Sequence, residues 1–248
     1  MLVKYSCIVF IALLVVSCSS GPLLTTRFIP AQTESGRQSI LVFLPGRGGS
    51  INDFQAEGLY DSLRATTSVL DVVCIDAPFF YYMDRSLLPR LEKGLFDSLR
   101  VANYRNVWTV GNSMGGLGSI LYARAHPGAI KNLVLLGPFL GDDPIINEII
   151  KSGGIKNWQS KQSASDDYQR DVWMFLKACV EDTTGSYPTL FLLAGTSDRF
   201  HGAHRLLADA MAETHVFWAA GGHDWNAWRT AFGAFLQSKE VRARIGNN

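Results

Sequence analysis

The fold of this chain is indicated most clearly by the stretch Val107–Gly116, which reads Val-Trp-Thr-Val-Gly-Asn-Ser-Met-Gly-Gly. Its first four residues form an apolar run that predicts a buried strand, and a helix is predicted over Gly115–Ala125. Ser113 lies between them, in the pattern Gly-x-Ser-x-Gly. Small residues at Gly111 and Gly115 allow the sharp turn that would hold Ser113 in a strained conformation.

The same alternation of strand and helix extends along most of the chain. Further strands are predicted at Ser39–Leu44, Val69–Ile75, Leu133–Leu136, Thr189–Leu193 and Val216–Ala219, with a short edge strand near Thr25–Ile29. Further helices are predicted at Asn52–Ala65, Leu87–Val101, Ala203–Ala212 and Trp225–Gln237. Because strands alternate with helices, we expect an α/β fold: an open, mostly parallel sheet with helices on both faces.

One stretch, from about residue 139 to 187, interrupts this rhythm. It contains no apolar strand run but two helical patterns, Pro144–Lys151 and Asp167–Val180. We therefore interpret it as a small helical insertion between two strands of one domain spanning residues 39–238. Residues 239–248 are expected to form a C-terminal tail.

The composition describes an ordinary globular protein. The chain has 248 residues, of which 47% are hydrophobic and 18% are charged, and this excludes disorder, collagen and coiled coil. Basic residues number 23 and acidic residues 22, so bulk charge offers nothing to attract nucleic acid. The four cysteines have no metal-ligand spacing. Cys74 and Cys179 are expected to be small buried residues, and whether they form a disulfide is left open.

The first residues resemble a bacterial lipoprotein signal. Lys4 precedes an apolar stretch of about a dozen residues, which is too short to span a membrane and is typical of a signal peptide over residues 1–17. The ending Val-Val-Ser-Cys resembles a lipobox, so Cys18 is predicted to be lipidated, with residues 18–38 as its tether. Ser19 after the cysteine favours the outer membrane of the bacterial cell envelope.

A serine hydroxyl becomes a good nucleophile only when a base removes its proton, and the base needs a carboxylate to orient it. Of the five histidines, His223 alone directly follows a predicted strand, with two glycines before it. His223 is therefore our candidate base. The chain order Ser…Asp…His agrees with a known arrangement of such triads.

The candidate acid is Asp198, which follows the strand that precedes the strand of the histidine. Asp142 and Asp143 are alternatives, because they follow another strand whose end could reach the same histidine. Asp224, beside His223, is a further alternative, although its side chain is better placed to cap the helix that begins at Trp225.

Two backbone amides are candidates for stabilising an oxyanion. The Met114 N–H follows the serine and begins the helix, where the helix dipole is favourable. A second donor is expected from the loop after the first parallel strand, with the N–H of Arg47 as first choice and that of Gly48 as second. The Arg47 side chain could face a substrate carboxylate or phosphate, or simply solvent.

Residues 39–236, with the motifs Gly-Asn-Ser-Met-Gly-Gly and Gly-Gly-His-Asp-Trp-Asn-Ala-Trp, resemble an α/β-hydrolase of the esterase D-like group. The resemblance implies a nucleophile at Ser113, a base at His223 and an acid at Asp198, with no metal and no cofactor. The chain departs from many members by having Pro45-Gly46 where they have His-Gly. Its first two antiparallel strands are also expected to be shortened or partly missing.

The expected activity is hydrolysis of a small-molecule carboxyl ester. A thioesterase, a lipase or an acyltransferase would use the same residues, and a non-catalytic binding lipoprotein is the alternative from another class. In such a hydrolase the insertion would form a lid, and its tryptophans, Trp158 and Trp173, could line the pocket or belong to the core. The run Phe79–Tyr82 is expected to pack under this lid or to line the entrance.

Overall fold

A computed structural model describes residues 24–33, 38–160 and 167–246. The predicted signal peptide, the predicted lipidation site Cys18 and much of its tether lie outside these residues. The described chain forms a seven-stranded sheet with the strand order β1-β3-β2-β4-β5-β6-β7. The strands are β1 (Thr26–Ile29), β2 (Ser39–Leu44), β3 (Asp71–Ile75), β4 (Asn106–Asn112), β5 (Asn132–Leu136), β6 (Thr189–Gly195) and β7 (Val216–Ala219).

The sheet is mostly parallel, as the alternating pattern predicts. Only the edge strand β1 runs antiparallel, and it pairs with β3. All other neighbouring strands are parallel, so the carboxyl ends of β2 and β4 to β7 meet at one edge of the sheet. Within the described residues β1 is the one antiparallel strand, in agreement with a shortened N-terminal part.

Helices cover both faces of this sheet. They are α1 (Asp53–Ala56), α2 (Leu59–Thr66), α3 (Phe80–Met83), α4 (Leu87–Leu91), α5 (Asp97–Val101), α6 (Met114–Ala125), α7 (Asp143–Lys151), α8 (Tyr168–Glu181), α9 (His201–Ala208), α10 (Trp225–Gln237) and α11 (Lys239–Gly246). A π-helical turn (Glu92–Phe96) joins α4 to α5. The sheet therefore separates two hydrophobic cores, one on each face.

Strand residues alternate between these two cores because successive side chains of a strand point to opposite faces. In β2, Ile40 and Val42 pack in the core with α6 and the insertion helices, whereas Leu41 and Phe43 pack in the core with α1, α2, α10 and α11. Every residue of β2 is buried, which explains its continuous apolar sequence.

The structure differs from the expectation at residues 52–65 and at the C-terminal residues. The predicted helix Asn52–Ala65 is two helices, because Gly58 between them adopts a left-handed φ of 76° that ends one and begins the other. Residues 239–246, which were expected to form a C-terminal tail, are helix α11, whose buried Val241 and Ile245 belong to the core that includes α10. Two apolar residues four apart are a weak pattern, and it is their packing that makes this segment helical.

The insertion between β5 and β6 contains the two predicted helices, α7 and α8. Its tryptophans belong to the core: Trp158 is 2% exposed and Trp173 is fully buried. Cys74 and Cys179 lie in different cores, on opposite faces of the sheet, so they do not pair. Burial raises the pKa of each thiol to about 12, which keeps both protonated and unreactive. Over the three described ranges, none of the helices is long and apolar enough to cross a bilayer.

Candidate functional site

Ser113 occupies a strained turn between β4 and α6. Its φ of 49° and ψ of −110° lie outside the backbone regions that residues other than glycine ordinarily adopt. Such a conformation costs on the order of 1–3 kcal/mol, and the surroundings must hold it. Here the Ser113 N–H donates to the Leu136 carbonyl at 2.9 Å, and the Ser113 carbonyl accepts from the Phe139 N–H at 3.1 Å. The end of strand β5 and the segment that follows it therefore hold both backbone polar groups of the serine.

Glycine is required around this turn because backbone segments approach one another closely. A Cβ on Gly115 would collide with the Leu44 carbonyl oxygen and lie 2.7 Å from that of Pro45. A Cβ on Gly111 would lie 2.6 Å from the Cα of Gly116. These are backbone contacts that cannot rotate away, so both predicted roles for small residues are explained by steric exclusion.

Ser113, His223 and Asp198 form a continuous hydrogen-bonded chain. The Nε2 atom of His223 lies 3.0 Å from Oγ of Ser113, and its Nδ1 atom lies 2.8 Å from Oδ2 of Asp198. A carboxylate only accepts, so Nδ1 carries the proton and Nε2 is left as the acceptor for the serine hydroxyl. The three residues, far apart in sequence, are brought together because they follow β4, β6 and β7 at the same edge of the sheet.

Asp198 is held as a charged carboxylate in a buried place. Its side chain is fully buried, and this burial by itself raises its pKa. Hydrogen bonds from His223 and from the Phe200 N–H outweigh burial, so the net pKa of Asp198 lies below its ordinary value. The His223 ring, 12% exposed, is thus held between a buried anion and the serine.

Two aromatic rings contact the imidazole of His223. Phe200 and Trp228 each meet it edge to face, with centroid distances of 5.1 and 4.8 Å. A further histidine, His204, is fully buried, and its Nε2–H donates to the Pro138 carbonyl at 2.9 Å beside the serine turn. Burial lowers the pKa of His204. Sequence reasoning located His204 at the start of a helix but had no signal for this contact.

The alternative acids are located elsewhere. Asp142 exchanges two hydrogen bonds with Gln169, and Asp143 is exposed in the first turn of α7. Asp224 caps α10, as expected, by accepting from the Asn226 and Ala227 N–H groups. These backbone hydrogen bonds lower the pKa of Asp224. Asp198 is the carboxylate that bonds to His223.

The loop after β2 lies against the serine turn. Gly46 is packed so closely that a Cβ there would collide with the Asn112 side chain and lie 3.3 Å from Cβ of Ser113. Arg47 follows it, so its backbone lies beside the serine, and its side chain lines the adjacent cavity. Gly48 forms the turn, with φ of 75°. Met114 is the first residue of α6, and its N–H therefore has no acceptor within the helix.

A cavity of about 680 Å³ opens beside Ser113. Its wall is largely apolar, and includes Phe79, Tyr81 and Tyr82 from the run that was expected to pack under the lid or to line the entrance. The insertion contributes Phe139, Asp142, Tyr168 and Asp171 to the wall, but neither Trp158 nor Trp173. Of the two placements left open for these tryptophans, the cavity wall and the core, the structure shows the core for both.

Comparison with known proteins identifies this architecture. A sequence model described as alpha/beta hydrolase fold matches residues 39–156, which include Ser113 and the loop at Arg47. The chain has the α/β-hydrolase fold. This confirms the fold class expected from the sequence. A search of curated proteins gave no match.

Solved structures with this fold are similar along most of the chain. S-formylglutathione hydrolase from Staphylococcus aureus is 14% identical with a TM-score of 0.56, over 88% of this chain and 83% of that one. Est1E from Butyrivibrio proteoclasticus, with ferulic acid bound, is 14% identical with a TM-score of 0.54, over 91% and 96%. A monoacylglycerol lipase from Paleococcus ferrophilus is 15% identical with a TM-score of 0.52, over 91% and 99%.

In the parts of the chain that the structure describes, no group of three or more His, Cys, Asp or Glu residues could hold a metal ion.

Proposed function

We propose that this protein is a serine hydrolase that cleaves carboxyl esters through an acyl-enzyme intermediate, with Ser113 as nucleophile, His223 as base and Asp198 as acid. The observation that carries the proposal is the hydrogen-bonded chain from Ser113 Oγ through both ring nitrogens of His223 to Asp198. A buried carboxylate, an oriented imidazole and a serine on a strained turn are the parts that nucleophilic catalysis by serine requires.

In the first half of the reaction Ser113 Oγ attacks the ester carbonyl while His223 Nε2 takes its proton. The tetrahedral intermediate then collapses, and His223 donates that proton to the departing alcohol oxygen, which leaves the acyl group on Ser113. In the second half His223 Nε2 takes a proton from a water molecule, which attacks the acyl carbonyl. The bond between the acyl group and Ser113 Oγ then breaks, His223 returns the proton to Oγ, and the acid is released. Asp198 stays ionised throughout and stabilises the imidazolium.

The negative charge on the carbonyl oxygen needs hydrogen-bond donors in each half-reaction. We assign this role to the backbone N–H groups of Met114 and Arg47. Met114 begins α6, whose dipole favours an anion at its N-terminus. The packing of Gly46 against Ser113 supports the choice of the Arg47 loop for the second donor.

The substrate is proposed to be a small-molecule ester. The cavity beside Ser113 has the volume of a small-ligand site and a mainly apolar wall. The similar solved structures include a hydrolase of S-formylglutathione and a lipase, and within this fold the esterase D-like group is the one whose motifs the chain resembles. Thioester hydrolysis and acyl transfer would use the same residues.

The proposal is tested with the full-length chain and its Ser113→Ala variant, using a fluorophosphonate probe and p-nitrophenyl esters from acetate to palmitate. We expect labelling and hydrolysis by the wild type only, and the best chain length will measure the acyl pocket. The exposed Ser98 of α5 offers a matched control, because Ser98→Ala removes a hydroxyl from a residue that does not line the cavity. Labelling without turnover would indicate an acyltransferase, and neither signal would indicate a binding protein.

We also propose that the protein is anchored by lipid at Cys18 in the bacterial cell envelope, at the outer membrane. The support is the signal-like sequence of residues 1–18. The two N-terminal cysteines, Cys7 and Cys18, make a matched pair for the test. Cys18→Ala should release the protein from the membrane fraction after phase separation in detergent, whereas Cys7→Ala should leave it there. Equal partitioning of both variants would contradict lipidation at Cys18.

A further inference from the structure

Two exposed arginines line the cavity at its rim, one beside the proposed nucleophile and one beside the proposed acid. Arg47 follows the glycine that packs against Ser113, and Arg199 directly follows Asp198. Both side chains line the cavity together with Ser113. Both residues are exposed, so the two guanidinium groups are in contact with solvent where a substrate would enter.

An aromatic ring of the cavity wall supports each guanidinium group. The guanidinium of Arg47 lies 4.3 Å from the centroid of the Phe79 ring, and that of Arg199 lies 4.9 Å from the centroid of the Phe200 ring. Stacking on a ring restrains an arginine side chain while leaving the N–H groups at its edge available. Less conformational freedom is then lost when an anion binds.

These two arginines have no carboxylate partner among the described residues, neither as an ion pair nor as a hydrogen bond. Arg124, which also lines the cavity, differs because it is paired with Asp171. In total four arginines and two aspartates line the cavity, so its charge is positive although the whole chain is almost neutral. A positive cavity in a neutral protein attracts anions selectively to the site.

Below this rim the wall is apolar. Tyr81, Leu87 and Leu117 are buried and line the cavity. A ligand that is complementary to both the arginine rim and the apolar wall has an apolar body and a negatively charged group. Phe200 connects the rim to the catalytic residues, because its ring contacts both the guanidinium of Arg199 and the imidazole of His223.

We propose that the preferred substrate is an ester that carries a carboxylate or a phosphate, and that Arg47 and Arg199 bind this negative group at the cavity rim. This preference rests on the proposed function, since it concerns which esters Ser113 cleaves. It adds a specificity determinant that neutral model esters would not reveal. The two anions share the chemistry that a guanidinium recognises, which is two oxygens arranged for paired hydrogen bonds.

The test compares matched neutral and anionic esters. For the acid portion, p-nitrophenyl butyrate is compared with the mono-p-nitrophenyl ester of glutaric acid. For the alcohol portion, phenyl butyrate is compared with its 4-carboxyphenyl analogue. The ratio of kcat/KM between the members of a pair is measured for the wild type, Arg47→Gln, Arg199→Gln and the double variant. Because each ratio comes from one preparation, it does not depend on the folded fraction.

We expect the wild type to prefer the anionic member of at least one pair. Each single substitution should reduce that preference about 5-fold to 10-fold, the size expected for one charge-assisted hydrogen bond at a partly exposed site. The preference should also fall as salt is raised. Arg205→Gln is the matched control, since Arg205 also lies over a ring, that of Trp218, but does not line this cavity. It should leave the ratio unchanged.

A second arm separates the two anions. Hydrolysis of p-nitrophenyl butyrate is inhibited with hexanoate, hexyl phosphate and the neutral hexanol. The stronger of the two anionic inhibitors identifies the group that the rim binds, and its advantage over hexanol should be lost in the double variant.

Equal ratios in the wild type and all variants, with turnover intact, would overturn the anion preference and leave the serine hydrolase standing. Absence of both turnover and fluorophosphonate labelling would overturn the proposed function, and the substrate preference with it.

Discussion

The indole of Trp228 meets the imidazole of His223 edge to face, with ring centroids 4.8 Å apart and an interplanar angle of 86°. Trp228 is 5% exposed and projects from α10, whereas His223 lies in the loop before that helix. The helix capped by Asp224 thus supplies the surface against which the imidazole rests. Together with the hydrogen bond to Asp198, this contact defines the plane of the ring.

We expect Trp228 to act through the position of His223. Trp228→Leu should lower kcat about 10-fold with little change in KM, because the imidazole then has more freedom around the same hydrogen bond. Trp228→Phe keeps an aromatic edge and should stay within about 3-fold of the wild type. Steady-state kinetics give the split, and the Tm of each variant separates loss of positioning from loss of fold. A KM effect as large as the kcat effect would contradict a positioning role.

Asp198→Asn should reduce kcat by about 10³-fold to 10⁴-fold while the protein remains folded. An amide at this place can donate to Nδ1 of His223, which favours the tautomer whose Nε2 carries the proton and can no longer accept one from Ser113. Asp143→Asn is the control, because Asp143 was a sequence alternative for the acid but is exposed in α7. It should retain wild-type kinetics. Equal loss in both variants would show that the assignment of the acid is wrong.

The charged form of Asp198 should also stabilise the folded protein at neutral pH relative to acidic pH. Its folded-state pKa is lowered from the ordinary 3.8, so the stabilisation is present above about that pH and is lost as pH falls through the folded-state pKa. Urea denaturation of wild type and Asp198→Asn should therefore differ most near neutral pH and converge below pH 3.8. A difference that grows on acidification would have the wrong sign for a lowered pKa.

Two glycine substitutions should have opposite effects. Gly115→Ala introduces a Cβ that collides with backbone carbonyls, and we expect it to destabilise the fold by at least about 2 kcal/mol. Gly233 lies within α10 with open space where its Cβ would be, so Gly233→Ala should stabilise by about 0.5–1 kcal/mol. Denaturant midpoints check both. A stable, active Gly115→Ala protein would contradict this expectation, because it would show that the backbone around Gly115 can move to accommodate a Cβ.

Much of the architecture could be predicted because it depends on local pattern. β2, β7 and α10 begin and end where the apolar runs predict, since a buried parallel strand is apolar throughout and an amphipathic helix repeats with its own period. Ser113 was recognisable from the flanking glycines, which are needed because a Cβ there would collide with neighbouring backbone. His223 and Asp198 were recognisable from their positions after successive predicted strands. Parallel strands end at one edge, so residues far apart in sequence could be assigned to one site.

Other features depend on contacts between elements that are distant in sequence. No local pattern told whether Trp158 and Trp173 lie in the cavity wall or beneath it, or that residues 239–246 form a helix. The contact of Arg47 with Phe79, and the presence of Arg47 and Arg199 in one cavity wall, likewise follow from the positions of three loops on the sheet. The sequence by itself indicated Ser113, His223 and Asp198 as candidates, because the glycine pattern of the serine turn and the position of a residue after an apolar strand run can be read locally. Only the tertiary structure decided what surrounds them, because packing depends on which faces meet.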